Sequence, residues 1–308
     1  MRYKSLGVIG SGKGSHFQKS IEPVLKKGKF FKIEGFLKKK SLNRKKYFAE
    51  KEFFKKKFDF VYIACPSQLH EKYIIKSLNA GFNVICEKPF VTKSKNLKKI
   101  IKLAKKNKKL IFECFMYAYH PVFLYIKKLI KTKKFGTISY VSSNFRYPSL
   151  KKDDNKYSKK LGNGFFYDTA VYPISLESYL FKFKGKPKIY QKILKNNVDL
   201  KGYVTLESNL VKRFYFWGEG QNYSNNLEIF FKNASIFVHK FYSKKPKEII
   251  FLKINTIKKS FTKKFENSNH FELMFKTIKK NYKKNSFLRK NRELIYNQSK
   301  LLDLIRFS

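Results

Sequence analysis

A doubly wound parallel α/β half followed by an α+β half is the fold class that this 308-residue chain predicts, and three features carry it. From Ser5 to about Cys114, short apolar runs alternate with amphipathic segments, the rhythm of a parallel sheet covered on both faces. A glycine-rich turn, Gly10-Ser11-Gly12-Lys13-Gly14-Ser15, follows the first apolar run and precedes a helix. Beyond His120-Pro121 the rhythm breaks, and strand-like runs follow one another with hardly any helix between them. The length suits two domains of unequal size, expected at 1–118 and 119–308.

Ser5-Leu6-Gly7-Val8-Ile9 reads as the first strand and Phe31 to Leu37 as the second. Phe58 to Ala64 is a mostly buried strand ending at Cys65-Pro66; Phe82 to Cys86 is the next. A lysine-rich helix over 94–107 leads to the closing strand, Leu110 to Cys114. The second half starts with a helix to about Thr132, an alternating strand over 137–143 and a short helix over 166–181. Strand-like runs at 187–195, 202–216, 226–241 and 248–265 then build a mostly antiparallel open sheet. Helices over 270–281 and 291–306 close the chain, the last expected to pack back on the first domain.

Hydrophobic residues are 43% of the chain and aromatics 18%, which places it among globular proteins despite its charge. The formal charge of +49, from 70 Lys+Arg against 21 Asp+Glu, would by itself suggest nucleic acid or an anionic membrane. The lysines are dispersed along nearly every helix instead of gathered in an arm or patch. Trp occurs once and Pro eight times beside abundant Lys, Asn, Ile, Phe and Tyr, a pattern of codon composition. No nucleic-acid partner and no membrane partner is expected. Cys65, Cys86 and Cys114 lie in or beside apolar runs with no metal or redox spacing, as small core residues of a reduced cytoplasmic compartment. No apolar stretch approaches the ~20 residues of a membrane span, and no secretory leader is legible.

The opening glycine turn has the context of a dinucleotide fingerprint: glycines let the backbone approach a pyrophosphate resting on the N–H groups of the next helix. Gly10, Gly12, Lys13 and Gly14 are its candidate cofactor residues, with Ser15 at the third glycine position. The second strand ends in Leu37-Lys38-Lys39-Lys40 where an acid normally takes the ribose hydroxyls, so Lys38 favours NADP over NAD. Pro66-Ser67-Gln68-Leu69-His70 stands at the carboxyl end of a parallel strand, where such sheets bind ligands; Ser67 is also placed to cap the helix beginning near Leu69. Glu87-Lys88-Pro89 follows the next strand, with the proline aiming Lys88 at the same crevice. Asp168 and Tyr172, four apart after a glycine-rich turn, project from one helical face.

In order, these motifs resemble the glucose-fructose oxidoreductase, inositol dehydrogenase and MocA family, Gfo/Idh/MocA, along the whole chain. The run Glu113-Cys114-Phe115-Met116-Tyr117-Ala118-Tyr119-His120-Pro121 resembles the branch of dihydrodiol dehydrogenases and NADP-linked xylose enzymes, where Tyr stands four after the Asp. The resemblance implies an N-terminal Rossmann domain and a C-terminal substrate and oligomerisation domain. It implies an NADP-preferring or NAD-using oxidoreductase acting on a secondary alcohol or lactol carbon of a sugar or cyclic polyol, dimeric or tetrameric through the open sheet, with no metal. Pro66, His70, Glu87 and Lys88 would join the glycine turn at the cofactor. Lys88 and Tyr172 become the polar pair at the reacting carbon and Asp168 their neighbour on the substrate side. Tyr172 serves as acid/base with Lys88 lowering its phenol pKa, or the two exchange roles. Three residues depart from the pattern: Ala118 stands for a usual Arg, Ala170 for a Gly, and Asn163 interrupts the glycine run. A dinucleotide-binding sensor or assembly protein without catalysis is the competing reading from another class.

Overall fold

The computed structural model describes residues 3–12, 15–28, 30–37, 46–151, 154–157, 164–181, 187–195, 198–208 and 211–306. It divides into two compact units, residues 1–115 with 274–299, and residues 116–273 with 300–308.

The first unit is built on six parallel strands: β1 (Lys4–Ile9), β2 (Phe31–Leu37), β3 (Tyr47–Phe48), β4 (Phe60–Ile63), β5 (Asn83–Cys86) and β6 (Ile111–Glu113). Their spatial order is β3-β2-β1-β4-β5-β6. Every strand expected in this half is present. The inner strands are covered on both faces, which is why they read as unbroken apolar runs: Leu6, Val8, Phe60, Val61, Tyr62, Ile63, Val84 and Ile85 are fully buried. Helices α1 (Glu22–Gly28), α2 (Glu50–Lys55), α3 (His70–Asn79) and α4 (Leu97–Lys106) connect them. In α4, Leu97, Ile100 and Ala104 are buried at spacings of three and four while lysines take the outer face. The two-residue β3 and the six-residue α2 were not legible because neither is long enough to show a period.

The strand order places a site. The chain runs outward from β1 to β3, then returns to β4 on the other side of β1, so the connections leave β1 and β4 in opposite directions. Ligands of open α/β sheets bind outside the carboxyl ends at such a reversal. The turns after β1, β4 and β5, all on that edge, carry the sequence motifs.

The second unit holds α5 (Pro121–Lys131), whose first turn starts at Pro121 and whose preceding His120 accepts the Val122 N–H on Nδ1 at 3.2 Å. Strand β7 (Ile138–Tyr147) follows, then α6 (Val171–Leu176) between wider π turns at Phe166–Ala170 and Glu177–Phe181. Strands β8 (Lys188–Lys195), β9 (Val198–Ser208), β10 (Val211–Glu219), β11 (Ser224–Phe231), β12 (Ala234–Val238), β13 (Ile250–Thr256) and β14 (Ser260–Phe265) complete an eight-stranded sheet. Its order is β14-β13-β12-β11-β7-β10-β9-β8, and only β7 with β10 is parallel. The runs expected at 202–216, 226–241 and 248–265 each contain parts of two paired antiparallel strands. Between β11 and β12 the turn is only Lys232-Asn233, too short to read as a loop, and across it the buried positions change phase from 227, 229 and 231 to 234, 236 and 238. Helices α7 (His270–Asn281) and α8 (Asn285–Arg306) end the chain; residues 274–299 belong to the first unit. Among the described residues no helix is long and apolar enough to cross a membrane.

Trp217 on β10, the chain's one tryptophan, is fully buried; its ring lies 5.7 Å from that of Phe166 and fills the space that Gly202 leaves open on β9. Removing it leaves a large cavity between the sheet and the π turn. Trp217→Ala is expected to cost about 3–5 kcal/mol, read as a lowered urea midpoint by circular dichroism, and a loss below about 1 kcal/mol would contradict this packing.

Candidate active site

At the end of β1 the chain turns at Gly10, whose φ of +96° is open only to glycine at low cost. A Cβ there would stand 2.3 Å from the Cys65 nitrogen and 2.4 Å from the Ala64 carbonyl carbon, so the β1 turn lies directly against the backbone leaving β4. Gly12 is different. A Cβ on it would meet nothing within 4 Å, so no part of the described chain requires that glycine. Ser15 Oγ accepts the Gln18 N–H at 3.3 Å and starts the helix that follows. Lys13, Gly14 and Lys38 lie outside the described residues, as does Asn163.

After β4, Pro66 is exposed, and Ser67 enters a 3₁₀ turn, Ser67–Leu69, instead of capping α3 with its side chain. Here the turn closes through the backbone, Leu69 N–H donating to Pro66 O at 2.9 Å, which leaves the hydroxyl no capping role. The Gln68 carboxamide has both its oxygen and its nitrogen buried with no hydrogen-bond partner among the described residues. His70, read from sequence as a cofactor residue, braces two loops. Its ring is buried, with Nδ1 2.8 Å from Pro89 O and Nε2 2.9 Å from Cys65 O, so each nitrogen faces a backbone carbonyl and the protonated one donates. Burial lowers the imidazole pKa, and the two carbonyls pull against that without overcoming it.

The turn after β5 carries Glu87, Lys88 and Pro89, with a cis Lys88-Pro89 peptide. Glu87 accepts the phenolic hydrogen of fully buried Tyr62, and its Oε1 lies 3.7 Å from His16 Nε2. Burial drives the Tyr62 phenol well above its usual pKa, with Cys114 and Glu87 adding to the rise. Below the turn Glu113, 3% exposed at the end of β6, accepts the Phe90 N–H at 2.7 Å.

In the second unit Asp168 lies in the π turn and Tyr172 in α6, so the expected four-residue spacing runs across the change from the wider turn to the α-helix. Tyr147, from the end of β7, donates its hydroxyl hydrogen to Asp168 Oδ2, and Lys156 Nζ stands 3.7 Å from the same oxygen. Burial first, then the Asp168 carboxylate, drives the Tyr147 phenol far above its usual pKa; Tyr172 adds to the rise. Tyr172 is 7% exposed, packs its ring 5.1 Å from Phe145 and 5.8 Å from Tyr242, and points its hydroxyl at Met116 Sδ at 3.8 Å. Ala118 and Ala170 are both buried.

The helix holding these residues starts on Asp199, which the sequence did not single out. Its Oδ2 accepts the Phe166 N–H at 2.5 Å and its carbonyl the Phe165 N–H at 3.0 Å. Gly164, with φ +76°, makes room, since a Cβ there would lie 2.3 Å from Asp199 Oδ1. Arg306 faces the same carboxylate at 3.8 Å and covers the Tyr167 ring at 4.6 Å. Asp199 sits in strand β9, remote in sequence, with no local signal. Tyr147 was missed for the same reason, inside an alternating strand.

The first unit therefore gathers Gly10, Gly12, Pro66, His70, Glu87 and Lys88 on one sheet edge, and the second carries Asp168 and Tyr172 on one short helical segment. The open position at Gly12 and the unpartnered amide of Gln68 fit a bound dinucleotide: a Cβ would fill the first, and the second is a buried donor and acceptor. Glycine turn, strand reversal and open mixed sheet define the two-domain class in which a Rossmann unit precedes an α+β unit. Residues 4–115 match the family model described as "Oxidoreductase family, NAD-binding Rossmann fold", and residues 123–236 match the GFO/IDH/MocA C-terminal domain. The chain belongs to the Gfo/Idh/MocA family.

Among curated relatives, the NADP(+) scyllo-inositol 2-dehydrogenase of Bacillus subtilis is 33% identical over 154 residues, 48% of this chain and 47% of that protein. The trans-1,2-dihydrobenzene-1,2-diol dehydrogenase of Xenopus laevis is 26% identical over 123 residues, 40% of this chain and 37% of the relative. The chain thus spans less than half the length of these relatives. A 3-ketoreductase from Actinomadura kijaniata, solved with NADP and TDP-benzene, superposes with a TM-score of 0.88 at 18% identity, over 99% of this chain and 98% of that one. An aldose-aldose oxidoreductase from Caulobacter crescentus, solved with glycerol, gives 0.87 at 12% identity over 99% and 97%. These two likenesses establish the fold.

Burial pushes the Asp199 carboxyl up to about 7, with Arg306 and the Phe166 N–H pulling the other way. An acid whose pKa is raised on folding binds more protons folded than unfolded, so it removes stability as pH rises from about 4 through that value. Asp199→Asn keeps an oxygen for the Phe166 N–H and loses the titration. The slope of the urea midpoint, read from Trp217 emission, against pH between about 4 and 7 should be more negative in the unaltered protein than in the variant; equal slopes would show that Asp199 does not titrate there.

Proposed function

We propose that the chain is an NADP-preferring, NAD-tolerant oxidoreductase that interconverts a secondary alcohol and a ketone, or a lactol and a lactone, on a sugar or cyclic polyol. The observation that carries it is the Lys88 turn at the carboxyl edge of the first sheet, braced through His70 to the turn beside the Gly10 bend. Family membership and the polyol and sugar substrates named for the relatives support the same reading. No carboxylate that could take ribose hydroxyls ends β2 among the described residues, and Glu34 is already paired with Lys32 at 3.2 Å, which favours NADP.

The turn at Gly10 and Gly12, with Lys13, Gly14, Lys38, Pro66 and Glu87, would hold the dinucleotide. A bound nicotinamide supplies the acceptor for the hydride that leaves the carbinol carbon. Tyr172 takes the hydroxyl proton during oxidation and returns it during reduction. Lys88 hydrogen-bonds the substrate oxygen and stabilises its developing negative charge. Asp168 orders a substrate hydroxyl beside them, itself held by Tyr147 and Lys156. Exchanging the roles of Lys88 and Tyr172 preserves the same balance of atoms.

Titration with NADPH and NADH, followed by nicotinamide fluorescence, tests the cofactor; scyllo-inositol and D-xylose with NADP are the first substrates to assay. Lys88→Ala and Tyr172→Phe should each lower kcat by about 10²–10⁴-fold with unchanged circular dichroism. Full turnover in either folded variant would sink the mechanism. NADPH binding without turnover across a polyol and sugar panel would favour the non-catalytic sensor.

The oligomer forms through the open face of the second sheet, in a cytoplasmic protein whose three thiols stay reduced. Tyr140 and Phe230, 5.8 Å apart on adjacent strands, and Phe251 on the same face are 36%, 38% and 54% exposed, an apolar surface suited to a second copy of the chain. Phe230→Lys combined with Phe251→Glu should convert a dimer or tetramer to a smaller species by sedimentation velocity. An unaltered mass would place the interface elsewhere.

A further inference from the structure

The reading of Lys88 as a residue of the reaction leaves a buried carboxylic acid beneath its turn without a role. Glu113 ends β6, adjacent to β5, and Cys114 N–H donates to Cys86 O at 2.9 Å, carrying the ladder up to the turn. Side chains fasten that turn on two sides. His70 of α3 meets Pro89 O at 2.8 Å, and Glu113 Oε1 accepts the Phe90 N–H at 2.7 Å, while Phe90 itself is fully buried. Pro89 has no N–H, so the Phe90 amide is the first backbone donor after Lys88. A buried N–H left without an acceptor is costly enough to shift a short loop.

We propose that Glu113 is the positioning residue of Lys88: its buried carboxyl braces the Lys88-Pro89-Phe90 turn through the Phe90 amide. A hydrophobic residue at 113 would fill the space but not satisfy that amide. Among the described residues, the titratable groups that act on Glu113 or that it acts on include Lys88 and Glu87 on the turn, Cys86 on β5 and Cys114 beside it. Burial is the largest influence and pushes the Glu113 carboxyl up to about 8; the Phe90 N–H and Lys88 pull it down, and Glu87 pushes it up. Protonated, the side chain still has a carbonyl oxygen for Phe90 but no charge toward Lys88. The brace therefore holds in both states, while its coupling to the ammonium is present only above the titration.

Protein labelled with ¹³C at the glutamate carboxyls identifies Glu113 as the resonance missing from Glu113→Gln. Its titration midpoint should lie near 8 and move higher in Lys88→Ala. Hydrogen exchange at the Phe90 amide should stay slow in Glu113→Gln, whose amide oxygen still accepts, and quicken by about tenfold or more in Glu113→Ala. With NADP and scyllo-inositol, Glu113→Gln should retain more turnover than Glu113→Ala. A midpoint unmoved by Lys88→Ala overturns the coupling. Protection of Phe90 in Glu113→Ala equal to that in the unaltered protein overturns the brace. Should Glu113→Ala not fold, the titration in Lys88→Ala and the exchange in Glu113→Gln still decide. NADPH titration of the unaltered protein in the same buffer reports separately on the proposed function.

Discussion

The carboxyl edge of the first sheet depends on one buried imidazole. His70 lies between Cys65 O and Pro89 O and so joins the loop leaving β4 to the loop leaving β5. The β1 turn is locked to the same place by a close backbone approach, because Gly10 lies directly against Ala64 and Cys65. Three loops that are far apart in sequence are therefore fixed to one another by groups that only reach each other once the strands have paired. A neutral imidazole donates from one nitrogen and a charged one from both, and burial disfavours the charge. A neutral ring donates to one of the two carbonyls at a time, and that bond offsets part of the cost of placing it in the interior.

The second unit solves a similar problem with a carboxylate. A helix start leaves backbone N–H groups without partners, and here Asp199 accepts one through its side chain and another through its own carbonyl. Gly164 has no side chain because the carboxylate occupies that space. The π turn then presents Asp168 toward Tyr147 and Lys156, and α6 carries Tyr172 into a ring cluster with Phe145 and Tyr242. Glu177, one helical segment on, is buried to 1% and is met by Arg213 and by the Tyr215 hydroxyl. Its carboxyl, like that of Asp199, is pushed up to about 7 by burial.

Charge is divided in a consistent way. Cations outnumber acids 70 to 21, so the chain has many more solvated lysines than partners for them. Buried acids are few, and Glu113, Glu177 and Asp199 each meet a backbone amide, a phenol or an arginine. Removing such a group leaves its partner unsatisfied in a low-dielectric interior, whereas removing one exposed lysine changes little. Lysine abundance therefore says little about the site, and the scarce acids say more.

Composition and periodicity by themselves determined the succession of elements, because apolar alternation and helical spacing are local properties that survive in one dimension. The glycine turn, Pro66 to His70, Glu87 to Pro89 and the segment from Asp168 to Tyr172 were legible for the same reason: each is contiguous. Strand breaks inside 226–241 and 248–265 were not, since a turn as short as Lys232-Asn233 shifts the alternation by a single residue and carries no loop-forming run of its own. Nor were Tyr147, Asp199 and Glu113 legible as parts of the site. Each lies within or at the end of a strand and becomes meaningful only through a partner brought to it by folding: Asp168, 21 residues away; Phe166, 33 residues away; Phe90, 23 residues away. His70 shows the same limit from the other side. Sequence placed it at the ligand edge, but only the folded chain could bring Pro89 O to one nitrogen and Cys65 O to the other, which makes it a brace.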